Sequence, residues 1–212
     1  HFYSSTLNFK FCSTHKDYIS TKYDNNNIIL NLEKLLNDKI VFRKYDTDLI
    51  DNKYFTEAKR LLPDRNYIGF SITQGNAYRK KSWPIKKFLS VANQILKQNK
   101  IPVFFIERNN IDLINKIKNE IQNVLIPELD SNLSGPPLVT ALSKRLEKAI
   151  SIDNGIMHMI GLANIPMTVL FGPTNSKKFS PKIKNINILD SKILYNSDEI
   201  SKIKEEDVLN LI

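Results

Sequence analysis

Asp153, Asn154, Gly155 and His158 lie between two apolar runs, in the stretch ISIDNGIMHMIGLANIPMTVLFGPT from Ile150 to Thr174. A strand that ends in a carboxylate, an amide, a glycine and, three residues on, an imidazole ends in groups that bind. A helix opening at Gly155 would aim free N–H groups and its positive dipole end at phosphate oxygens. The second run, MTVLF, closes in Gly172-Pro173-Thr174. Upstream, YRKKSWPIKK (Tyr78 to Lys87) crowds five basic residues into one loop and helix start. Lys81 in it offers a point charge to a diphosphate. Thr73, Gln74 and Gly75 come just before, and Glu107, Arg108 and Asp112 follow the run IPVFFI. Glu107 or Asp112 would accept hydrogen bonds from a ribose, as acidic residues do in dinucleotide-binding sheets. These groups together suit a nucleotide diphosphate. One histidine and no cysteine do not make a transition-metal cage, so no metal and no cofactor are expected.

Each residue has a plainer reading beside this one. Asp153 or Asn154 caps the following helix. His158 is a hydrogen-bonded packing residue, Gly155 and Gly172 make turns, Trp83 packs, and Glu107 and Asp112 are solvated. What favours function is the combination, and its position depends on the elements that carry it.

From Asn66 onward those elements alternate. NYIGFSI, IPVFFI, NVLI, ISI, MTVLF and INIL read as buried strands. PIKKFLSVANQILKQN reads as a helix with Phe88, Val91, Ala92, Ile95 and Leu96 as its apolar stripe. NIDLINKIKNEIQ turns Ile114, Ile117 and Ile121 inward. PLVTALSKRLEKA aligns Leu138, Leu142, Leu146 and Ala149, and GIMHMIGLA is a short helix. DEISKIKEEDVLNLI is expected to be helical throughout. Short apolar strands alternating with helices predict a parallel sheet covered on both faces. Ligands on such sheets sit at the carboxyl ends of the strands, where all the residues above fall.

The front of the chain reads differently. All six glycines lie between Gly69 and Gly172. Helical faces are expected from Ile28, Ile29, Leu32, Leu35 and Leu36, and from Tyr54, Ala58, Leu61 and Leu62. Leu7, Phe9 and Phe11 alternate like a strand, and TKYDNNN is a loop. The expected domains are residues 1–65, 66–190 as the ligand-binding α/β domain, and 191–212 as a helical segment.

With 212 residues the chain can bury a full core without staples. Its single cysteine, Cys12, excludes an intrachain disulfide. It has no apolar stretch long enough to span a bilayer. The net charge of +9 favours anionic partners; most of the lysines read as solvated helix faces. Nucleic acid is not expected, because few aromatics beyond Tyr78 and Trp83 accompany the basic residues. The start, HFYSSTLNFKF, lacks the charged-then-apolar pattern of a secretory signal. The cytoplasm is the expected compartment, with peripheral contact at an anionic inner-membrane face open to it.

The stretch from about Asn66 to Pro181 resembles the C-terminal half of glycosyltransferase family 9, the bacterial lipopolysaccharide heptosyltransferases. YIGFSI with its polar loop, KKSWP opening a helix, LSGPPLVTALSKRLEKAISIDNGIMH, and GLANIPMTVLFGPTNSKKFSP carry the resemblance, in the family's order and spacing. It implies a GT-B architecture, with this chain as the Rossmann-like, C-terminal donor domain. It implies transfer with inversion of a sugar, heptose from ADP-heptose, to the lipopolysaccharide core. On that basis Lys81 would neutralise the leaving diphosphate and be the catalytic group of this chain. Asp153, Asn154, Gly155 and His158 would line the phosphate and sugar end. Thr73, Gln74 and Gly75 would sit against the phosphates, and Asp112 would hold the ribose.

The loop TQGNAYRKKSWP departs from the His-Pro-Gly-like opening of many members. Residues 1–65 have no glycine and are short for the family's acceptor domain, which presents a catalytic Asp. They are expected to be its tail plus the inter-domain connection, so an enzyme fragment without its general base is the expectation. The lipopolysaccharide-core acceptor would then be reached through the missing N-terminal domain. The alternatives are a relative using another nucleotide sugar and a non-catalytic nucleotide- or anion-binding domain.

Overall fold

A computed structural model describes residues 2–4, 18–20, 25–35, 47–64, 66–75 and 77–212. Its strands are β1 (Phe2–Ser4), β2 (Tyr18–Ser20), β3 (Tyr67–Ser71), β4 (Ile101–Phe105), β5 (Lys148–Ile152), β6 (Met167–Phe171) and β7 (Ile186–Asp190). Its helices are α1 (Ile28–Leu35), α2 (Asn52–Leu61), α3 (Ile85–Lys97), α4 (Ile111–Glu120), α5 (Pro136–Ser143), α6 (Gly155–Ala163), α7 (Ser176–Phe179), α8 (Ser191–Tyr195) and α9 (Glu205–Leu209). The chain divides into two compact units, one of His1–Lys44 with Asn175–Ser180, the other of Tyr45–Thr174 with Pro181–Ile212. No helix among the described residues is long and apolar enough to cross a membrane.

In the first unit β1 and β2 pair in parallel, Tyr3 opposite Ile19. The expected strand through Leu7, Phe9 and Phe11 lies outside the described residues, as do Leu36 and the front of the TKYDNNN loop. Helix α1 forms as expected but shows another face. Leu35 is buried and Leu32 is exposed, while Asn31 is buried one turn before Leu35. Asn27, just before the helix, is buried as well, and its Nδ2 donates to the carbonyls of Lys177 at 3.3 Å and Ser180 at 3.1 Å.

The second unit is a parallel sheet in the order β4-β3-β5-β6-β7. Beyond β4, Leu125 makes a single parallel bridge to Val103. Counting that rudiment as a strand gives the doubly wound order 3-2-1-4-5-6. β3 and β6 are buried along their whole length, as strands covered on both faces must be. Helix α3 presents Phe88, Val91, Ala92 and Ile95 to the sheet, and α4 presents Ile114 and Ile117. At the centre Phe70 stacks on Phe104 with ring centroids 4.7 Å apart and meets Phe88 edge-on at 6.4 Å. Trp83 packs edge-on against Phe88 and donates its indole N–H to the Ile203 carbonyl at 3.0 Å.

Glycine is scarce, and asparagine does its work at several element ends. Asn99, Asn123, Asn164 and Asn196 all adopt left-handed backbone, φ 48–59°. Asn164 and Asn196 are the C-terminal caps of α6 and α8, and asparagine pays less than other side-chain-bearing residues for that conformation.

Three segments depart from the expected pattern. NVLI makes only the Leu125 bridge, because Pro127 follows at once and opens a 3-10 turn, Pro127–Leu129. PLVTALSKRLEKA is helical only to Ser143. Its periodicity runs on through Leu146 and Ala149, but Ala149 is claimed by the sheet, opposite Gly69 on one side and Met167 on the other. The C-terminal stretch is a 3-10 turn, Ile200–Lys202, then α9, with extended backbone at Ile203 between them. There the Ile203 carbonyl accepts from Trp83 and from Lys87 Nζ at 2.7 Å, instead of from a helical N–H.

Gly172, at the end of β6, is closed in by backbone. A Cβ there would sit 2.8 Å from Ile200 Cβ, 2.9 Å from Ile200 N and 3.0 Å from the Asp198 carbonyl oxygen. Gly172→Ala is therefore expected to destabilise by about 1–3 kcal/mol, as overpacking does. Urea denaturation checks it, and an unchanged midpoint would mean that the Asp198–Ile200 turn yields freely.

Candidate nucleotide site

The switch point of the sheet lies between β3 and β5, where the chain winds off in opposite directions. Loops leaving the carboxyl ends of those strands separate there and leave a crevice. Asn154 spans it. Its Nδ2 donates to Ser71 Oγ at 2.7 Å and to the Thr73 carbonyl at 2.8 Å. Its Oδ1 accepts from Met157 N at 2.8 Å, which caps α6. One side chain thus closes the helix start and ties it to the opposite loop. The amides of Gly155 and Ile156 remain without intrahelical acceptors, as in any first turn, and Gly155 is exposed.

Lys81 turns inward from the basic loop, while Tyr78, Arg79 and Lys80 stay exposed. Its ammonium donates to Asp153 Oδ2 in an ion pair whose side chains are only 12% and 8% exposed. The Lys81 amide donates to Gln74 Oε1 at 2.8 Å, folding the loop back on itself. His158 follows on α6, partly open to solvent and partly packed against the protein. The protein packed around its ring pushes its pKa below the ordinary histidine value, with Asp153 opposing and Lys81 reinforcing. The imidazole is therefore neutral at neutral pH.

Two clefts border this crossing. One of about 530 Å³ is lined by Glu107, Arg108, Asn109, Glu128, Ser134, Gly135, Pro136, Val139, Ile156 and Met159. The other, about 380 Å³, lies against Ile72, Thr73, Gln74, Trp83, Phe88, Asn110 and Leu113. Of the residues singled out in the sequence, Thr73, Gln74, Lys81, Asp153, Asn154, Gly155 and His158 come together at the switch point. Gly75 is an exposed loop residue with open space around it. Asp112 is exposed in the first turn of α4 and lines neither cleft; Glu107 lines the larger one. The turn after β6 stays apart: Gly172 packs on Asp198 and Ile200, and the Pro173 carbonyl accepts from Lys192.

Sequence reading passed over Ser71 and Glu128, and it named Arg108 without giving it a role. Ser71 sits inside an apolar strand, and only its last position brings its hydroxyl to the crevice. Arg108 donates to the backbone carbonyls of Glu128, Ser131 and Leu133, clamping the segment that forms one wall of the larger cleft. Arg108→Ala is expected to cost about 1.5–3 kcal/mol, the range for hydrogen bonds from a charged group, and to speed amide exchange across residues 128–135. Unchanged exchange there would show that the wall holds without the clamp.

A doubly wound sheet with a capped helix start and an inward-turned lysine at its switch point defines a Rossmann-like class of α/β domain. The chain belongs to glycosyltransferase family 9 (heptosyltransferase), whose family model matches residues 29–209. No curated protein matches it. Among solved structures it is similar to a glycosyl transferase family 9 protein from Veillonella parvula DSM 2008, with TM-score 0.73 and 18% identity over 99% of this chain and 65% of that one. It is similar to E. coli heptosyltransferase WaaC with ADP, with TM-score 0.68 and 12% identity over 98% of this chain and 63% of that one. It is also similar to E. coli ADP-heptose lps heptosyltransferase II, with TM-score 0.60 and 17% identity over 76% of this chain and 50% of that one. The chain thus spans between half and about two thirds of the length of these relatives, all of them GT-B in fold.

Proposed function

We propose that the second unit binds the nucleotide-sugar donor of a glycosyltransferase, and that the donor is ADP-heptose or a close analogue. One observation carries the reading: a half-buried lysine, Lys81, and the capped N-terminus of α6 meet at the switch point of the sheet. Both are sources of positive charge, and the larger cleft is lined by Ile156 from the first turn of α6 and by Glu107. Membership of the family and the likeness to a heptosyltransferase solved with ADP support it.

In this reading the diphosphate lies over Gly155, Ile156 and Lys81. Asp153 aims the ammonium, and as the glycosidic bond breaks Lys81 and the helix start stabilise the charge growing on the leaving diphosphate. Neutral His158 offers a hydrogen bond without a charge at the sugar end. Glu107, in place of Asp112, accepts from the ribose hydroxyls. Thr73 and Gln74 shape the loop under the phosphates, with Gly75 at its tip. The acceptor, a lipopolysaccharide core sugar, loses its proton to a general base outside the donor residues assigned here, and attack opposite the leaving group inverts the anomeric carbon. Residues 1–65 then belong to the acceptor side and its connection, 66–190 to donor binding, and 191–212 to a helical closure. Work on a lipopolysaccharide core would place the protein in the cytoplasm, against the anionic inner face of the membrane.

Calorimetric titration with ADP tests the reading. Binding is expected, and it is expected to be unchanged by EDTA, because Lys81 and the helix start supply positive charge without an ion. Binding that vanished in EDTA and returned with magnesium would give the diphosphate to a cation, with Asp153 as a candidate ligand. A folded chain that bound no ADP would favour an anion-binding domain without this activity.

A further inference from the structure

The larger cleft carries a carboxylate that donor binding, as described above, does not use. Glu128 sits in the 3-10 turn Pro127–Leu129, just after the Leu125 rudiment that bridges to Val103. Outward from the switch point, the sheet presents the β3 loop with Thr73, then the end of β4 with Glu107, then the Leu125 segment with Glu128. Adjacent strands are spaced about 4.8 Å apart. A nucleotide with its diphosphate at β3 and β5 and its ribose over β4 therefore brings its base over the turn that holds Glu128. Val139, Ile156 and Met159 line the same cleft and offer the base an apolar wall.

We propose that Glu128 reads the base of the donor, selecting bases that carry an exocyclic amino group over uracil, which has the O4 carbonyl at that position. This rests on the donor-site reading of the cleft. An ionised carboxylate only accepts hydrogen bonds. Adenine offers N6–H₂ and cytosine N4–H₂, whereas the matching position of a uracil-type base is the O4 acceptor. Among the described residues the Glu128 carboxylate has no hydrogen-bond or ion-pair partner, and neither has that of Glu107. Arg108 lies close, and its Nε and Nη2 donate to the backbone carbonyls of Glu128, Ser131 and Leu133 rather than to either carboxylate. Burial first, and the charge of Glu107 second, push the Glu128 carboxyl above its ordinary pKa, with Arg108 opposing. A carboxylate with few waters left and no donor of its own is one that an incoming N–H relieves and an incoming C=O repels.

The test is calorimetric titration of the 212-residue chain with ADP, CDP and UDP at about pH 8, where carboxyl groups are ionised. UDP is expected to bind at least about tenfold more weakly than ADP and CDP, the size of one unfavourable polar contact. Glu128→Gln keeps the side chain's length and adds an N–H₂ that can turn to O4. It is expected to bring UDP to within about threefold of ADP, mainly by tightening UDP. Wild-type binding of UDP as tight as that of ADP overturns the proposal. So does a gap that survives in Glu128→Gln while ADP still binds. A folded chain that binds none of the three overturns the donor site itself, and with it the role of Glu128.

Discussion

Lys81→Ala is expected to destabilise the protein by about 3 kcal/mol and, in the same molecule, to weaken nucleotide-diphosphate binding by about 1–3 kcal/mol. The two losses have separate causes. Lys81 and Asp153 form an ion pair whose side chains are almost covered. Removing one partner strands the other's charge in a place water hardly reaches, and that desolvation is the larger part of the cost. The loss of binding comes from the missing ammonium at the switch point. A double variant separates them. Lys81→Met with Asp153→Asn removes both charges, so most of the stability is expected to return while ADP binding stays weak. Urea denaturation and calorimetry read the two effects independently. An unchanged unfolding midpoint in Lys81→Ala would contradict a buried pair. Unchanged ADP affinity in the folded variant would remove Lys81 from the phosphate site.

Phe104→Ala is expected to cost about 3–5 kcal/mol, the range for a fully buried aromatic ring. Phe104 has no exposed surface and stacks on Phe70, which in turn meets Phe88 from α3. Its removal leaves a hole where β3, β4 and α3 join, and neighbours held by the sheet cannot all move in to fill it. Phe104→Leu keeps much of the volume and is expected to cost less than half as much. Denaturant midpoints with unchanged slope would carry the comparison. A loss below about 1 kcal/mol for the alanine variant would mean that the core collapses around the gap.

The elements that build the site were legible for a local reason. GIMHMIGLA and MTVLF coincide with α6 and β6 because caps, apolar periodicity and turn residues all act within a few positions. Asn154 as a helix cap was legible on the same ground, and the plainer reading of it holds alongside its reach to Ser71 and Thr73. Trp83 reads as packing in the sequence, and it is buried against Phe88. Periodicity failed where a distant partner claimed the backbone. Ala149 continues the stripe of α5 and yet pairs with β3 and β6. Ile203 falls inside a helical pattern and yet gives its carbonyl to Trp83 and Lys87.

By itself the sequence determined the alternation of strands and helices, the parallel sheet it implies, and the loops on which site residues must lie. Those follow from dihedral preference and spacing, which a chain carries wherever it goes. Only the tertiary structure decided which groups on those loops meet. Lys81 and Asp153 are 72 positions apart, and Asn154 and Thr73 are 81. Their contact depends on β3 lying beside β5, a choice of strand order that no local pattern contains. Glu107 and Asp112 are both exposed, but Glu107 lines the larger cleft and Asp112 does not. Both are acidic and both follow β4, but one stands just past the strand end and the other has already turned away with α4.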